Sequence, residues 1–218
     1  PLIEFKVYAG LLLLAGLGVV ALQGLIRKGD WLCLKVFAGC LLVSLIVFLP
    51  NNLASSGLLV FSPLWIVNSM IDFDDSLGWQ RLSQARQAYL ATGNLLRLIG
   101  TEVIALLIFI VGNLGSRLVW LGAVWLVLKK IKEGNVIITF LVTVFAIGLI
   151  LPLLFIQKGN SWNIVQFSYY SLLVADIFAG VALASLVGKW GVRVGGIIVG
   201  LVVLLTIPAT IGSLTNYL

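Results

Sequence analysis

Residues 7–26 read VYAGLLLLAGLGVVALQGLI, about 20 positions without a charge, closed by Lys6 on one side and Arg27-Lys28 on the other. At about 1.5 Å per residue such a run matches the roughly 30 Å hydrocarbon core of a bilayer and leaves its basic brackets among the headgroups. No other environment takes a helix of this kind so readily.

The pattern recurs along the chain. Residues 31–49 form a second run, with Lys35 close enough to its start to snorkel and Pro50-Asn51-Asn52 to end it. Residues 136–156, 164–187 and 195–214 supply three more. Residues 95–128 are apolar but interrupted by Gly112-Asn113-Leu114-Gly115-Ser116-Arg117, and both one broken span and two short elements fit them. A single crossing is preferred, because it brings Lys129, Lys130 and Lys132 to the side of Arg27 and Lys28. Composition agrees: 61% of residues are hydrophobic and 10% charged, against roughly half and a quarter in soluble domains. The expected fold is all-α, a polytopic integral membrane helix bundle of about six transmembrane helices. Residues 1–218 form a single transmembrane helical domain. A chain that opens Pro1-Leu2-Ile3-Glu4 without Met is read as the C-terminal part of a longer protein.

Charge fixes an orientation. Six spans put Arg27, Lys28, Lys35, Lys129, Lys130, Lys132, Lys189 and Arg193 on one side, and Lys6, Arg81, Arg86, Arg97 and Lys158 on the other. The positive-inside rule makes the first side cytoplasmic and residues 51–94 and 157–163 extracytoplasmic. The net charge of +6 thus reports loop asymmetry and gives no ground for nucleic-acid binding. Histidine is absent from the sequence, which removes imidazole bases and ligands. Cys33 and Cys40, two helical turns apart in one span, make neither a disulfide framework nor a metal motif.

Residues 51–94 are the one sizeable loop. Residues 58–71 are too short for a span and contain Pro63, so an interfacial or re-entrant segment is expected. A helix is expected over 76–92, capped by Asp74 or Asp75 and ended by Gly93-Asn94. Trp79, Leu82, Ala85 and Tyr89 share one face and Arg81, Gln84 and Gln87 lie off it, the pattern of an amphipathic helix in the membrane interface. Asp72, Asp74 and Asp75 leave a divalent cation open, although capping explains two of them. No metal site or cofactor is otherwise assigned.

Ionisable groups at membrane depth are costly and therefore informative. Three qualify: Glu102, Arg117 and Asp176. Glu102 and Arg117 stand about 22 Å apart on a continuous helix and do not pair there. Asp176 has no cation on its own helix, which leaves Arg117 or a backbone donor on a neighbour. The densest polar and aromatic cluster is residues 157–170, where Lys158, Asn160, Trp162, Asn163, Gln166, Tyr169 and Tyr170 combine amides, stacking faces and a cation. Such a set suits a sugar or a lipid headgroup; an aromatic belt with a turn explains it as well.

Gly159-Asn160-Ser161-Trp162-Asn163 running into Gln166-Phe167-Ser168-Tyr169-Tyr170, after Leu114-Gly115-Ser116-Arg117, resembles the C-terminal half of large bacterial polytopic membrane proteins that look like GT-C superfamily glycosyltransferases. The resemblance covers mainly residues 95–180. It implies a bacterial plasma-membrane protein using a polyprenyl-phosphate-linked sugar donor, with the catalytic carboxylate in an N-terminal loop outside this chain. No catalytic residue is carried over. Lys158 and Arg117 become candidates for the donor phosphate, and Asn160, Trp162, Asn163, Gln166, Tyr169 and Tyr170 for the mouth of the groove. Two alternatives stand beside it. One is a secondary transporter or lipid flippase with Glu102, Arg117 and Asp176 along its pathway; the other is a non-catalytic scaffold.

Overall fold

The computed structural model describes residues 7–52, 59–73 and 76–215. Among the described residues the regular structure is helical apart from one short ribbon. Helix α1 covers Val7–Lys28 and α2 Trp31–Asn52; strand β1, Leu59–Phe61, and helix α3, Trp65–Asp72, follow. Helix α4 is Gln80–Ala91 and α5 Leu95–Leu114; a 3-10 segment over Gly115–Ala123 leads into α6, Val124–Lys132. Helix α7 spans Val136–Leu154, β2 Phe155–Gln157, a second 3-10 turn Ser161–Val165, and α8 Gln166–Thr215. Among the described residues five helical stretches are long and apolar enough to cross a membrane: Val7–Lys28, Trp31–Pro50, Leu95–Lys132, Val136–Leu154 and Ser161–Ile207.

The turns obey one local rule. Gly29, Gly93, Gly134 and Gly159 all have positive φ, between 61° and 92°, and each is followed by Asp or Asn. The glycine supplies the left-handed residue that stops one element, and the next side chain accepts an N–H of the element that follows. Asp30 Oδ1 accepts Leu32 N at 2.8 Å, Asn94 Oδ1 accepts Arg97 N at 3.3 Å, Asn135 Oδ1 accepts Ile138 N at 3.0 Å, and Asn160 Oδ1 accepts Trp162 N at 3.1 Å.

Close approaches set the packing. A methyl group on Gly16 of α1 would stand 2.6 Å from the Phe140 ring of α7, and one on Gly148 of α7 would stand 2.3 Å from Ser171 Oγ of α8. Small residues at such contacts let helices approach where no hydrophobic drive separates helix from lipid. Ser171 Oγ, fully buried, also donates to Phe145 O at 2.8 Å across the interface. Leu12, Val127, Val144, Ile164, Phe167, Val174 and Phe178 make the main core. A second cluster joins Ile66, Val67 and Ile71 of α3 to Ala105 and Phe109 of α5. Trp65 and Val165 pack against both clusters.

The bundle has two distinct ends. At one, Tyr8 Oη donates to Gln157 Oε1 at 2.6 Å, and β1 pairs antiparallel with β2, Leu59 opposite Gln157 and Phe61 opposite Phe155. At the other, Arg27 Nη1 donates to Lys132 O at 2.5 Å and Gln23 Nε2 to Ile131 O at 3.4 Å. The first is the aromatic end and the second the basic end, so α1 and α7 run antiparallel.

Three expectations change in detail. Residues 58–71 are not one apolar segment: β1 extends the ribbon, and α3 buries Ile66, Val67 and Ile71. Between them Leu64 sits at φ 59°, donating its N–H to Leu153 O at 2.6 Å. The loop helix starts at Gln80 rather than 76, with no side-chain cap at Trp79; Asp74 and Asp75 lie outside the described residues. Helix α2 continues through Pro50 to Asn52 instead of stopping before it.

Two stretches exceed one crossing. Ser161–Ile207 has 47 residues, about 70 Å if straight, more than twice a hydrocarbon core. It is not straight: Gly191 (φ 78°, ψ 164°) breaks α8, and a methyl group on Gly195 would stand 2.5 Å from Val187 Cα. Residues eight apart touch only where the chain doubles back. Leu95–Lys132, 38 residues, is broken at Gly115 (φ 49°) and tightened into nine residues of 3-10 helix, the interruption that Gly112 to Ser116 foreshadows.

Candidate functional site

Polar groups converge in three places. The first lies along α8, where Arg117 Nε of the 3-10 segment stands 2.8 Å from Asp176 Oδ1. This is the cross-helix partner that an unpaired Asp176 requires. The Arg117 Nε–H is not aligned for a hydrogen bond to the carboxylate, so the contact is an ion pair. The two side chains keep 35% and 52% of their surface and face the outside of the bundle. Trp120, one 3-10 turn beyond Arg117, packs edge-on against Phe145 at 5.3 Å and fixes the segment to α7.

The second place joins α3, α4 and α5. Arg86 Nη2 meets Asp72 Oδ2 at 2.8 Å, and Arg86 Nη1 lies 3.7 Å from Glu102 Oε1. Ser83 Oγ donates to Asp72 Oδ1 at 2.5 Å, and Gln87 Nε2 donates to Ser83 Oγ at 3.3 Å. Glu102 thus has the partner its depth demands, although Glu102 Oε2 is buried without a hydrogen bond. Sequence reasoning assigned Arg86 only to the loop's charge count. A usable signal was there: a turn centred on Asn94 places residues 86 and 102 at mirror positions, eight on either side. Asp72 is taken up by Ser83 and Arg86. Of the expected α4 face, Leu82, Ala85 and Tyr89 are part-buried and Trp79 is exposed, while Arg81, Gln84 and Gln87 are exposed as expected.

The third place is the aromatic end. Trp162 stands edge-on to Trp65 at 5.2 Å, and Tyr8 edge-on to Phe167 at 5.0 Å. Asn160 is spent on its cap. Tyr169 is 63% exposed and Trp162 52%, Lys158 is exposed, and Asn163 and Gln166 are part-buried. Tyr170 turns inward and lines an apolar cavity of about 220 Å³ with Leu12 and Val174. Lys158, Asn160, Trp162, Asn163 and Gln166 therefore share one end of the molecule. Arg117, Glu102 and Asp176 do not join them: Asp176 is ten residues beyond Gln166, about 15 Å down α8. Tyr8 and Trp65, which complete this end, were not singled out in the sequence because their partners lie far away in the chain.

Between α5, α7 and α8, one turn below the aromatic end, is a narrow cavity of about 70 Å³. Leu114, Leu149, Leu153 and Leu172 wall it, with Asn113 and Ser168 as its polar groups. Asn113 Nδ2 donates to Phe109 O at 2.8 Å, and Ser168 Oγ is buried without a partner.

The fold and these sites define a polytopic, all-α protein whose apolar helices fit an integral membrane protein. Comparison with protein families, curated proteins and solved structures gave no match.

Proposed function

We propose that this chain is the membrane-embedded part of a glycosyltransferase-like protein that takes its sugar from a polyprenyl-phosphate donor. The observation that carries the proposal is the narrow apolar cavity beneath the aromatic end, with the unpartnered Ser168 Oγ inside it and the amides of residues 157–166 above it. An apolar slot with one or two polar groups suits the first units of an isoprenoid chain, and amides beside aromatic faces suit a sugar. Lys158 stands for the donor phosphate. Trp162, Asn163, Gln166 and Tyr169 form the mouth, with Asn160 shaping its turn and Tyr170 directed into the separate cavity beside Leu12; the reacting carboxylate belongs to a loop outside this chain. Arg117, neutralised by Asp176, is the weaker phosphate candidate.

In this proposal the chain crosses a bacterial plasma membrane six times. The two arms of α8 on either side of Gly191 make separate crossings, the basic end is cytoplasmic, and α4 lies in the outer interface. The test is sugar transfer by the full-length protein in liposomes with a polyprenyl-phosphate sugar. Lys158→Ala and Gln166→Ala each lower turnover about tenfold or more, the scale of a lost charge-assisted hydrogen bond. Unchanged turnover in both removes them from the site.

The Arg117–Asp176 ion pair, set within two long apolar helical stretches, favours a second reading, a transporter or flippase. There Asp176→Asn abolishes flux of a lipid-linked substrate across liposomes and leaves sugar transfer without meaning. A scaffold predicts neither effect.

A further inference from the structure

We propose that the cleft at the basic end binds a phosphate group, in the first instance that of an anionic phospholipid headgroup. A cavity of about 360 Å³ opens between the α1–α2 turn and the α6–α7 turn, with Val20, Gln23, Arg27, Lys28, Asp30 and Glu133 among its lining. Its volume falls within the range of small-molecule sites.

The cleft is held open by specific contacts. Arg27 Nη1 donates to Lys132 O and ties α1 to the end of α6. Gly134, at φ 80°, brings the α6–α7 turn against that guanidinium: a methyl group there would stand 3.4 Å from Arg27 Nη1. The acidic groups of the lining are already engaged. Asp30 caps α2 through Leu32 N at 2.8 Å. Glu133 pairs with Lys130 at 2.8 Å and Lys129 at 4.0 Å, and the Lys130 hydrogen bond holds its carboxyl below the usual carboxylate range. None of the ion pairs among the described residues engages Arg27 or Lys28, so the remaining Arg27 donors and the Lys28 ammonium line the cleft unpaired, beside Asp30 and the lysine-paired Glu133. Arginine and lysine together recognise phosphate as a fork and a point charge.

The surroundings favour a lipid as the source of that phosphate. The floor is apolar Val20, and Val136 of the lining is followed by Ile137, which is 69% exposed; Ile26 beside Arg27 is 74% exposed. A headgroup in the cleft leaves its acyl chains along these side chains, and basic pockets between helices at the cytoplasmic side are a known form of anionic-lipid recognition.

The experiment uses the purified chain in neutral detergent. Three probes are titrated: short-chain phosphatidylglycerol, short-chain phosphatidylcholine, and inorganic phosphate. The expected result is saturable binding of phosphatidylglycerol with much weaker binding of phosphatidylcholine. Each charge removed weakens it about fivefold, in Lys28→Gln and further in Arg27→Gln/Lys28→Gln. Inorganic phosphate that competes with phosphatidylglycerol assigns the site to soluble phosphate compounds as well; phosphate without effect assigns it to the lipid. Because Arg27 also ties two helices, Lys28→Gln alone is the decisive variant, and its fold is checked by circular dichroism. Phosphatidylglycerol affinity equal in the wild type and in a folded Lys28→Gln variant, or no saturable binding at all, overturns the proposal.

Discussion

Arg117 Nε and Asp176 Oδ1 lie 2.8 Å apart, on two elements that sequence separates by nearly sixty residues. A lone charge in an apolar segment is expensive, and the pair relieves each member of that cost without being fully enclosed. Asp176→Asn is expected to lower stability in detergent by about 1–2 kcal/mol. That is below the 3–5 kcal/mol of a fully buried pair, because both side chains retain surface. The double variant Arg117→Gln/Asp176→Asn recovers part of the loss. Thermal unfolding of Asp176→Asn, Arg117→Gln and the double variant checks this, and additive losses would show that the two groups do not couple.

Gly148 marks a close approach of α7 to α8. A methyl group there would meet Ser171 Oγ at 2.3 Å and Phe167 O at 2.8 Å, the second a backbone atom that does not rotate away. Gly148→Ala is therefore expected to cost about 1–3 kcal/mol, the range of overpacked cores. Gly180→Ala, where nothing lies within 4 Å, should be neutral or slightly stabilising through helix propensity. The same unfolding assay separates them.

Arg86 holds Asp72 and Glu102 together, so Arg86→Met leaves two carboxylates facing each other with no cation between them. The α4–α5 hairpin is expected to loosen before the main core does. Hydrogen exchange should show faster exchange over Gln80–Ala91 with protection in Val136–Leu154 unchanged. Equal acceleration in both helices would mean that the network supports the whole bundle.

Glu133 gives a pH dependence with a definite sign. Its carboxyl titrates below the ordinary range, chiefly because Lys130 donates to it and secondarily through the charges of Lys130 and Lys129. Its contribution is present above the unfolded carboxylate's pKa and is lost as pH falls through its own lower value. Carbon-detected NMR titration of the Glu133 carboxyl in wild type and Lys130→Met tests the cause. The midpoint should rise toward the ordinary value in the variant, and an unmoved midpoint assigns the depression elsewhere.

The spans are legible in the sequence because the bilayer admits few charges. Runs such as residues 7–26 and 136–156 announce themselves by what they lack, although the last two residues of the second belong to β2, and Asp176 announces a distant partner for the same reason. Local breaks are half legible. Gly115 lies in an interruption that stands out, yet the nine residues of 3-10 helix after it follow from packing of the segment on α8, which no local pattern carries. The Gly-Asx turns are fully local and repeat four times. The ribbon is the opposite case: Leu-Val-Phe at 59–61 and Phe-Ile-Gln at 155–157 look like ends of apolar runs, and only their meeting makes them strands. At the aromatic end the cluster of residues 157–170 stands out by composition, whereas Tyr8 and Trp65 join it only through tertiary contacts.

That ribbon bears on how the protein is made. Residue 59 leaves the ribosome nearly a hundred residues before residue 157, an interval of about 5–20 s at cellular synthesis rates. Throughout it β1 has an unpaired edge, and the N–H groups of Ser62 and Leu64 have not met the Leu154 and Leu153 carbonyls that accept them. The aromatic end therefore closes only once α7 has been made and β2 has followed it. An insertion defect in α7 would be felt first as a failure at residues 59–64, far upstream in the chain.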